Sequence, residues 1–291
     1  MTENNVFLII LNYKSYYDTI KYIDQLKNQK KIKLNIIVVD NCSPNNSYSI
    51  LKKKYSKVND VEVIISEKNG GYAYGNNFGL KFIEDREFDF VIVSNNDIII
   101  DDEYLIYKLC EVYNKLDLPS LISPVMKQDR VVSENFAWKI PNLIDDVFGS
   151  LRISDFFYKK NRYYKFSQDT DYIQVDCIPG SFFMSRKPVL YSLGLLDENT
   201  FLYMEEAILA IKNKKKGLKN YIISNLSYEH EVSGTISKSM SNIKIRKNLI
   251  NSRLYFHKNY LKTGVFGILL LKFLFILWVL EYYIYNIYKK K

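Results

Sequence analysis

Residues 88–105 read "FDFVIVSNNDIIIDDEYL". Phe88, Phe90, Val91, Ile92 and Val93 make an apolar run with strong β preference. It stops at Ser94, Asn95, Asn96 and Asp97, after which Ile98, Ile99 and Ile100 resume it. Small polar residues at a strand end are ordinary turn formers. In open α/β sheets, however, ligands bind at the carboxyl ends of strands, so two amides and a carboxylate delivered there are also candidates for work on a ligand. What the neighbouring strands deliver decides between the two.

Further strand candidates lie at 6–11, 35–39 and 61–66, and helical periodicity shows at 15–30, 48–55, 75–83 and 102–116. Strand–helix alternation predicts an α/β fold, a Rossmann-like mostly parallel sheet flanked by helices and joined by right-handed crossovers. The unbroken runs "FLIIL" and "IIVV" suit strands buried on both faces. Asn12 and Tyr13 follow the first strand, Asp40 and Asn41 close the second, and Asn69, Gly70 and Gly71 follow the third. Four consecutive ends carrying polar groups to one edge predict a polar ligand pocket.

Beyond residue 116 the pattern is less regular. Residues 117–170 hold Pro119, Pro124 and Pro141 and read as a loop or small insertion. Two strands are expected around Pro179-Gly180, then a helix to Leu193, a helix from about Glu205 to Lys216 stopped by Gly217, and a short strand at "NYIIS".

With 291 residues, 47% of them hydrophobic and 25% charged, the chain is globular. Cys42, Cys110 and Cys177 are widely spaced, which fits a reducing cytosol and neither a disulfide framework nor a zinc site. The net charge of +9 is uneven: residues 1–211 hold 25 Lys and Arg against 29 Asp and Glu, residues 212–291 hold 16 against 3. A basic region serves nucleic acid or an anionic membrane surface, and its neighbours must choose. The apolar run at 6–11 is too short for a signal peptide.

The first strand–helix turn, "LNYKSYY", contains no glycine and so is neither a dinucleotide fingerprint nor a P-loop. A diphosphate would then be neutralised by a divalent cation held on carboxylate, for which Asp97 is placed. Asp40 is positioned to accept hydrogen bonds from a base or ribose, Gly70, Gly71 and Gly75 permit close backbone approach, and Asn76 and Asn77 lie near a helix start.

The blocks "LNYKS", "IIVVDNCS", "EKNGGYAYGNNFGL" and "VSNND", followed by "PGSFFMSRKPVLYSLGLLDENTFLYMEE", resemble in order and spacing those of glycosyltransferase family 2, the inverting GT-A enzymes. The rhamnosyltransferase-like bacterial members that build surface polysaccharides such as capsule and O-antigen are similar in style. The resemblance spans roughly residues 5–235. It implies a GT-A fold and a nucleotide-diphospho-sugar donor such as dTDP-rhamnose or a UDP-sugar. It also implies Mn2+ or Mg2+ and a lipid-linked saccharide acceptor. Residues 1–235 would form the transferase domain, 1–116 its nucleotide-sugar half and 117–235 its acceptor side.

Carried over position by position, Asp40 matches a base-binding aspartate and Asp97 the last acid of a DxD-like metal motif. Glu206 matches the catalytic base, and His230 a late histidine at the metal and diphosphate. Asn12, Asn41, Gly71, Asn76, Asn95 and Asn96 complete the expected donor-binding set. The usual acidic pair is Glu205-Glu206 here, so either glutamate is a candidate base. Glu229 stands where a second histidine is frequent.

Residues 236–291 form a basic helical extension. Ile243, Leu249, Leu254 and Leu261 oppose Lys244, Arg246, Lys247, Arg253, Lys258 and Lys262, with His257 expected on the surface. Residues 265–280 are apolar except Lys272 and would span about 24 Å as a helix, short of a ~30 Å hydrocarbon core. The expectation is an interfacial helix or hairpin on the inner face of the cell membrane, a peripheral cytoplasmic location. A short spanning anchor and a helix packed on the protein's own core or on a second copy in a homodimer are the alternatives. No nucleic-acid-binding pattern adjoins the basic stretch. Two other functions compete. A sugar-nucleotide pyrophosphorylase would need a Gly-rich basic first loop, which "LNYKSYY" is not. A catalytically degenerate domain would bind the donor or scaffold an assembly complex without turnover.

Overall fold

The computed structural model describes residues 3–148, 162–231 and 242–289. The alternation expected of the first half is present: β1 (Asn4–Asn12), α1 (Tyr16–Leu26), β2 (Ile32–Asp40), α2 (Ser47–Tyr55), β3 (Val61–Ile65), α3 (Gly71–Phe82), β4 (Phe90–Asn95), β5 (Ile98–Ile99) and α4 (Leu105–Tyr113). Strands β3, β2, β1 and β4 lie side by side and parallel, so the four polar ends meet at one edge. Successive residues of β1 feed opposite cores. Val6, Leu8 and Ile10 join α1, α2 and α4 on one face, while Phe7 and Ile9 join α3 on the other. This two-sided burial is why the strands read as unbroken apolar runs.

The second half continues the same sheet. β6 (Pro119–Gln128), β7 (Val131–Val132), α5 (Leu143–Phe148), β8 (Tyr172–Val175), β9 (Phe182–Arg186), α6 (Lys187–Ser192), α7 (Glu205–Lys215) and β10 (Lys219–His230) follow in order. The sheet runs β3-β2-β1-β4-β9-β6-β10-β5. β9 is antiparallel to both β4 and β6, while β6 and β10 are parallel.

The loop or insertion expected over 117–170 is therefore corrected: β6 is a buried strand inside the sheet. Its prolines are tolerated for local reasons. Pro119 is the first residue of the strand. Pro124 sits where the pairing with β10 jumps from Ile223 to Ser227, so its missing N–H falls at a bulge. The expected short strand at "NYIIS" is likewise longer, running on to His230.

Two helices close the chain, α8 (Asn242–Asn259) and α9 (Val265–Lys289). They pack against each other, and α9 also touches α5. His257 is a second correction: it is fully buried, not a surface residue. Its Nε2 lies 2.9 Å from Asp146 Oδ2, a partner 111 residues away in sequence. Part of the polar, aromatic stretch before β8, and Lys238 where the basic pattern begins, lie outside the described residues.

Candidate active site

The edge where the four parallel strands end is a connected set of buried polar side chains. Asn96 Nδ2 donates to Thr19 Oγ1 (2.9 Å), Thr19 Oγ1 donates to Asn12 Oδ1 (3.0 Å), and Asn12 Nδ2 donates to Asp40 Oδ2 (2.7 Å). Asp40 Oδ1 accepts from the Ser43 backbone N–H at 2.8 Å. One relay thus ties the ends of β4, β1 and β2 to α1. Each oxygen of Asp40 keeps acceptor capacity for a ligand, but none of its surface is open to solvent. Thr19 was not among the candidates, because a threonine inside an amphipathic helix carries no sequence signal.

Asn41 is the second knot. Its Nδ2 donates to Gly71 O (3.0 Å) and Asn69 Oδ1 (3.2 Å), and its Oδ1 accepts from Ser66 Oγ at 3.1 Å. Gly71 opens α3 at φ +90°, and a Cβ there would sit 2.0 Å from Phe201 O. The next residue, Tyr72, donates its backbone N–H to that same oxygen at 2.9 Å. Asn76 is fully buried inside α3, its Nδ2 bonded to Tyr72 O (3.0 Å) and its Oδ1 without a partner among the described residues. Asn77 reaches the second half instead, donating to Leu196 O (2.9 Å) and accepting from Leu196 N–H (3.1 Å).

Asp97 and His230 converge from opposite ends of the sequence. β5 pairs antiparallel with β10, setting Ile98 against His230, and Asp97 Oδ1 lies 3.1 Å from His230 Nε2. Both side chains keep some exposure, 13% and 19%. A carboxylate oxygen beside an imidazole nitrogen suits Mn2+, and Mg2+ also takes one carboxylate with substrate phosphates. No third His, Cys, Asp or Glu joins them in a cluster among the described residues. The remaining coordination positions would fall to a diphosphate and water.

Glu205 and Glu206 open α7 after Tyr203 and Met204, both at φ 74°. Left-handed backbone in two bulky residues costs about 1–3 kcal/mol each and is concentrated at functional sites. Neighbouring parts hold this turn in place. Ser252 Oγ on α8 donates to Leu202 O at 2.7 Å, and Tyr255 OH donates to Asp197 Oδ2 at 2.9 Å. Glu205 is buried, and burial followed by the adjacent Glu206 charge pushes its carboxyl well above the ordinary range. Glu206 is partly exposed. Burial of its carboxyl raises it too, opposed by backbone N–H donors that include Gly180 at 3.2 Å.

Gly180 and Ser181 bring the two centres together. Gly180 N–H holds Glu206 Oε1, and Ser181 O accepts from Asn95 N–H at 2.9 Å, two residues before Asp97. Tyr72 OH donates to Gly180 O, so α3 braces the same peptide. A Cβ on Gly180 would lie 2.7 Å from Glu206 Oε1.

Residues 7–194 match the family described as Glycosyl transferase family 2. The chain is 26% identical over 216 residues to the low-salt glycan biosynthesis hexosyltransferase Agl10 of Haloferax volcanii, a match covering 74% of this chain and 63% of that protein. Among solved structures, the mannosyltransferase PcManGT of Pyrobaculum calidifontis in complex with GDP-Man and Mn2+ superposes with a TM-score of 0.61 at 13% identity. That superposition covers 91% of this chain and 66% of the other. GalNAc-T7 with UDP, GalNAc and Mn2+ gives a TM-score of 0.59 at 12% identity, covering 79% and 44%. These likenesses show the GT-A fold.

Proposed function

The chain belongs to glycosyl transferase family 2, and on that premise we propose that it is a metal-dependent, inverting hexosyltransferase of bacterial surface polysaccharide synthesis. The donor is a nucleotide-diphospho-sugar, dTDP-rhamnose or a UDP-sugar, and the acceptor is a hydroxyl of a lipid-linked saccharide. The observation that carries the reading is the pair of consecutive residues Gly180 and Ser181. Through them the Gly180 N–H holds Glu206 Oε1, and Ser181 O holds the end of the strand that leads to Asp97, by the bond from Asn95 N–H.

The acceptor oxygen attacks the anomeric carbon from the face opposite the diphosphate. A carbon–oxygen bond forms there as the bond to the diphosphate breaks. The acceptor proton passes to Glu206, whose raised pKa brings it nearer the working pH, and the nucleoside diphosphate leaves with the bonding electron pair. Asp97 and His230 would hold Mn2+ or Mg2+, which when bound offsets the charge on the leaving diphosphate. Asp40, Asn12, Asn41, Gly71, Asn76, Asn95 and Asn96 shape the donor edge, and Glu205 supports the α7 start beside the base. Support for a divalent ion comes from the two Mn2+-bound enzymes of the same fold.

Membrane attachment belongs to the same reading. Phe266, Leu269, Leu270, Phe273, Ile276 and Leu277 of α9 are exposed, beside exposed Lys258, Lys262 and Lys272. Among the described residues no helix is long and apolar enough to cross a membrane. An apolar helix face bordered by cations suits peripheral docking on the anionic inner leaflet, which is also where a lipid-linked acceptor resides.

The test is hydrolysis and transfer across UDP-, dTDP- and GDP-sugars, with a membrane extract as acceptor, with Mn2+ or EDTA, beside Asp97→Ala and Glu206→Gln. One donor turned over only with metal and lost in both variants is the expected result. Donor binding without any turnover, even with authentic acceptor, would hand the function to a degenerate binding domain. Flotation with anionic vesicles tests the α9 face, and Phe266→Asp should release the protein.

A further inference from the structure

Beside Glu206 lies a cavity of about 240 Å3 that the donor edge does not use. Trp138, Tyr163 and Tyr203 line it, and so do two guanidinium groups, Arg162 and Arg253. Arg253 is anchored from behind. Its Nε lies 3.1 Å from Oδ1 of the fully buried Asp146, whose Oδ2 is 2.9 Å from His257 Nε2. His257 Nδ1 in turn meets Thr263 Oγ1 at 2.9 Å. The cluster therefore ties α5, α8 and the segment leading into α9 to the wall of the cavity.

The charges at the two ends differ. Burial pushes the Asp146 carboxyl up, but the His257 hydrogen bond and the Arg253 and Arg162 charges outweigh it and hold it below the ordinary range. The shift of Glu206 comes from burial and backbone N–H groups. Two cations thus share one buried carboxylate at the arginine end, and Arg162 Nε is buried with no hydrogen-bond partner among the described residues. Guanidinium groups match phosphate oxygens in a bidentate fork, and the two arginines outnumber Asp146, the carboxylate whose charge both stabilise, which leaves positive charge for an anion. The aromatic walls suit the C–H face of a sugar ring. The volume is small beside the roughly 300–1,000 Å3 of ligand pockets in general, so it takes one sugar unit and its linkage.

We propose that this cavity seats the acceptor, and that the acceptor carries a phosphate within one sugar unit of the hydroxyl it offers to Glu206. Arg162 and Arg253 hold the phosphate, and Trp138, Tyr163 and Tyr203 hold the ring. The assignment rests on Glu206 as the acceptor-side base. The phosphate can come from the linkage of a sugar to an isoprenoid lipid or from a soluble sugar phosphate. Both present the same oxygens to the arginines.

The chain has two tryptophans, so Trp278→Phe leaves Trp138 as the reporter of the cavity. In EDTA, which keeps diphosphates off the metal site, fluorescence is titrated with glucose, galactose and mannose 1-phosphates, the corresponding methyl glycosides, and farnesyl-diphospho-N-acetylglucosamine. A phosphate-bearing probe should bind about tenfold or more tighter than its neutral counterpart. Arg162→Gln should erase the difference, and Arg162→Lys should keep part of it, with unchanged thermal melting showing that both variants fold. Tighter binding of the farnesyl probe assigns the phosphate to a lipid linkage; equal binding assigns it to a soluble sugar phosphate. Equal affinity for charged and neutral probes, no response to any probe, or an indifferent Arg162→Gln overturns the proposal. Donor hydrolysis by the same preparation reads the transferase assignment separately. Turnover without phosphate preference sinks only this site, and phosphate preference with no turnover, even with authentic acceptor, leaves an anion site but removes the transferase and the acceptor assignment that rests on it.

Discussion

At the donor edge Asp40 has no exposed surface, yet each of its oxygens accepts a hydrogen bond, from Asn12 and from the Ser43 N–H. At the start of α7 Glu205 is about as deeply buried, and its Oε1 has no partner among the described residues. Residues of the same chemical kind are therefore used in opposite ways. A satisfied buried carboxylate is a strut that fixes three strand ends. An under-satisfied one beside a like charge costs stability, and here that cost is carried next to Glu206, the group proposed to act.

The largest test of this contrast is Glu206→Gln, which should lower transfer by about 10²- to 10⁴-fold while donor affinity stays unchanged. In the unsubstituted protein, transfer should fall as pH drops through a pKa above the ordinary 4.5 of a glutamate, because the base works only when deprotonated. A flat pH–rate profile would make Glu206 a strut like Asp40. Next is Gly71→Ala, where the new Cβ would meet Phe201 O and the backbone φ is +90°. Urea unfolding should show a loss of about 2–4 kcal/mol. A loss below about 1 kcal/mol would mean that the α3–Phe201 joint between the halves is loose.

Asn12→Ala removes both bonds at the centre of the donor relay and should cost about 1–3 kcal/mol in the same assay. The smallest effect, and the one of opposite sign, is Glu205→Gln. The folded-state pKa of Glu205 is raised, so its contribution to stability is complete below about 4.5 and is lost as pH rises through the folded value. Glutamine should therefore raise the melting temperature at pH 8, by about 2 °C, and bring no gain near pH 4. A gain that is the same at both pH values would remove proton linkage from the explanation.

The sequence made the donor half readable because its signals are local. Apolar runs buried on both faces and polar residues immediately after them need no partner to be seen. The second half hides its logic in long-range pairing. β6 looked irregular because Pro124 is harmless only opposite the bulge in β10, and because Ser120 and Ser123 are satisfied by Asn213 Oδ1 (2.6 Å) and Phe182 O (2.7 Å). His257 reads as a surface residue in a basic helix until Asp146 is placed beside it. The backbone strain at Tyr203 and Met204, and the brace from Tyr72 through Gly180 to Glu206, have no motif at all.

The pairing of β5 with β10 has a consequence for how the protein is made. Asp97 emerges from the ribosome 133 residues before His230, and β9, which lies against β4, also comes late. The four parallel strands can assemble while synthesis continues, and domains generally form from the N-terminus as they emerge. Such a nascent half has a nucleotide edge but lacks the imidazole and both glutamates. On the proposed reading, a half-made chain can hold an activated sugar without spending it, and chemistry begins only after the last strand of the sheet has been translated.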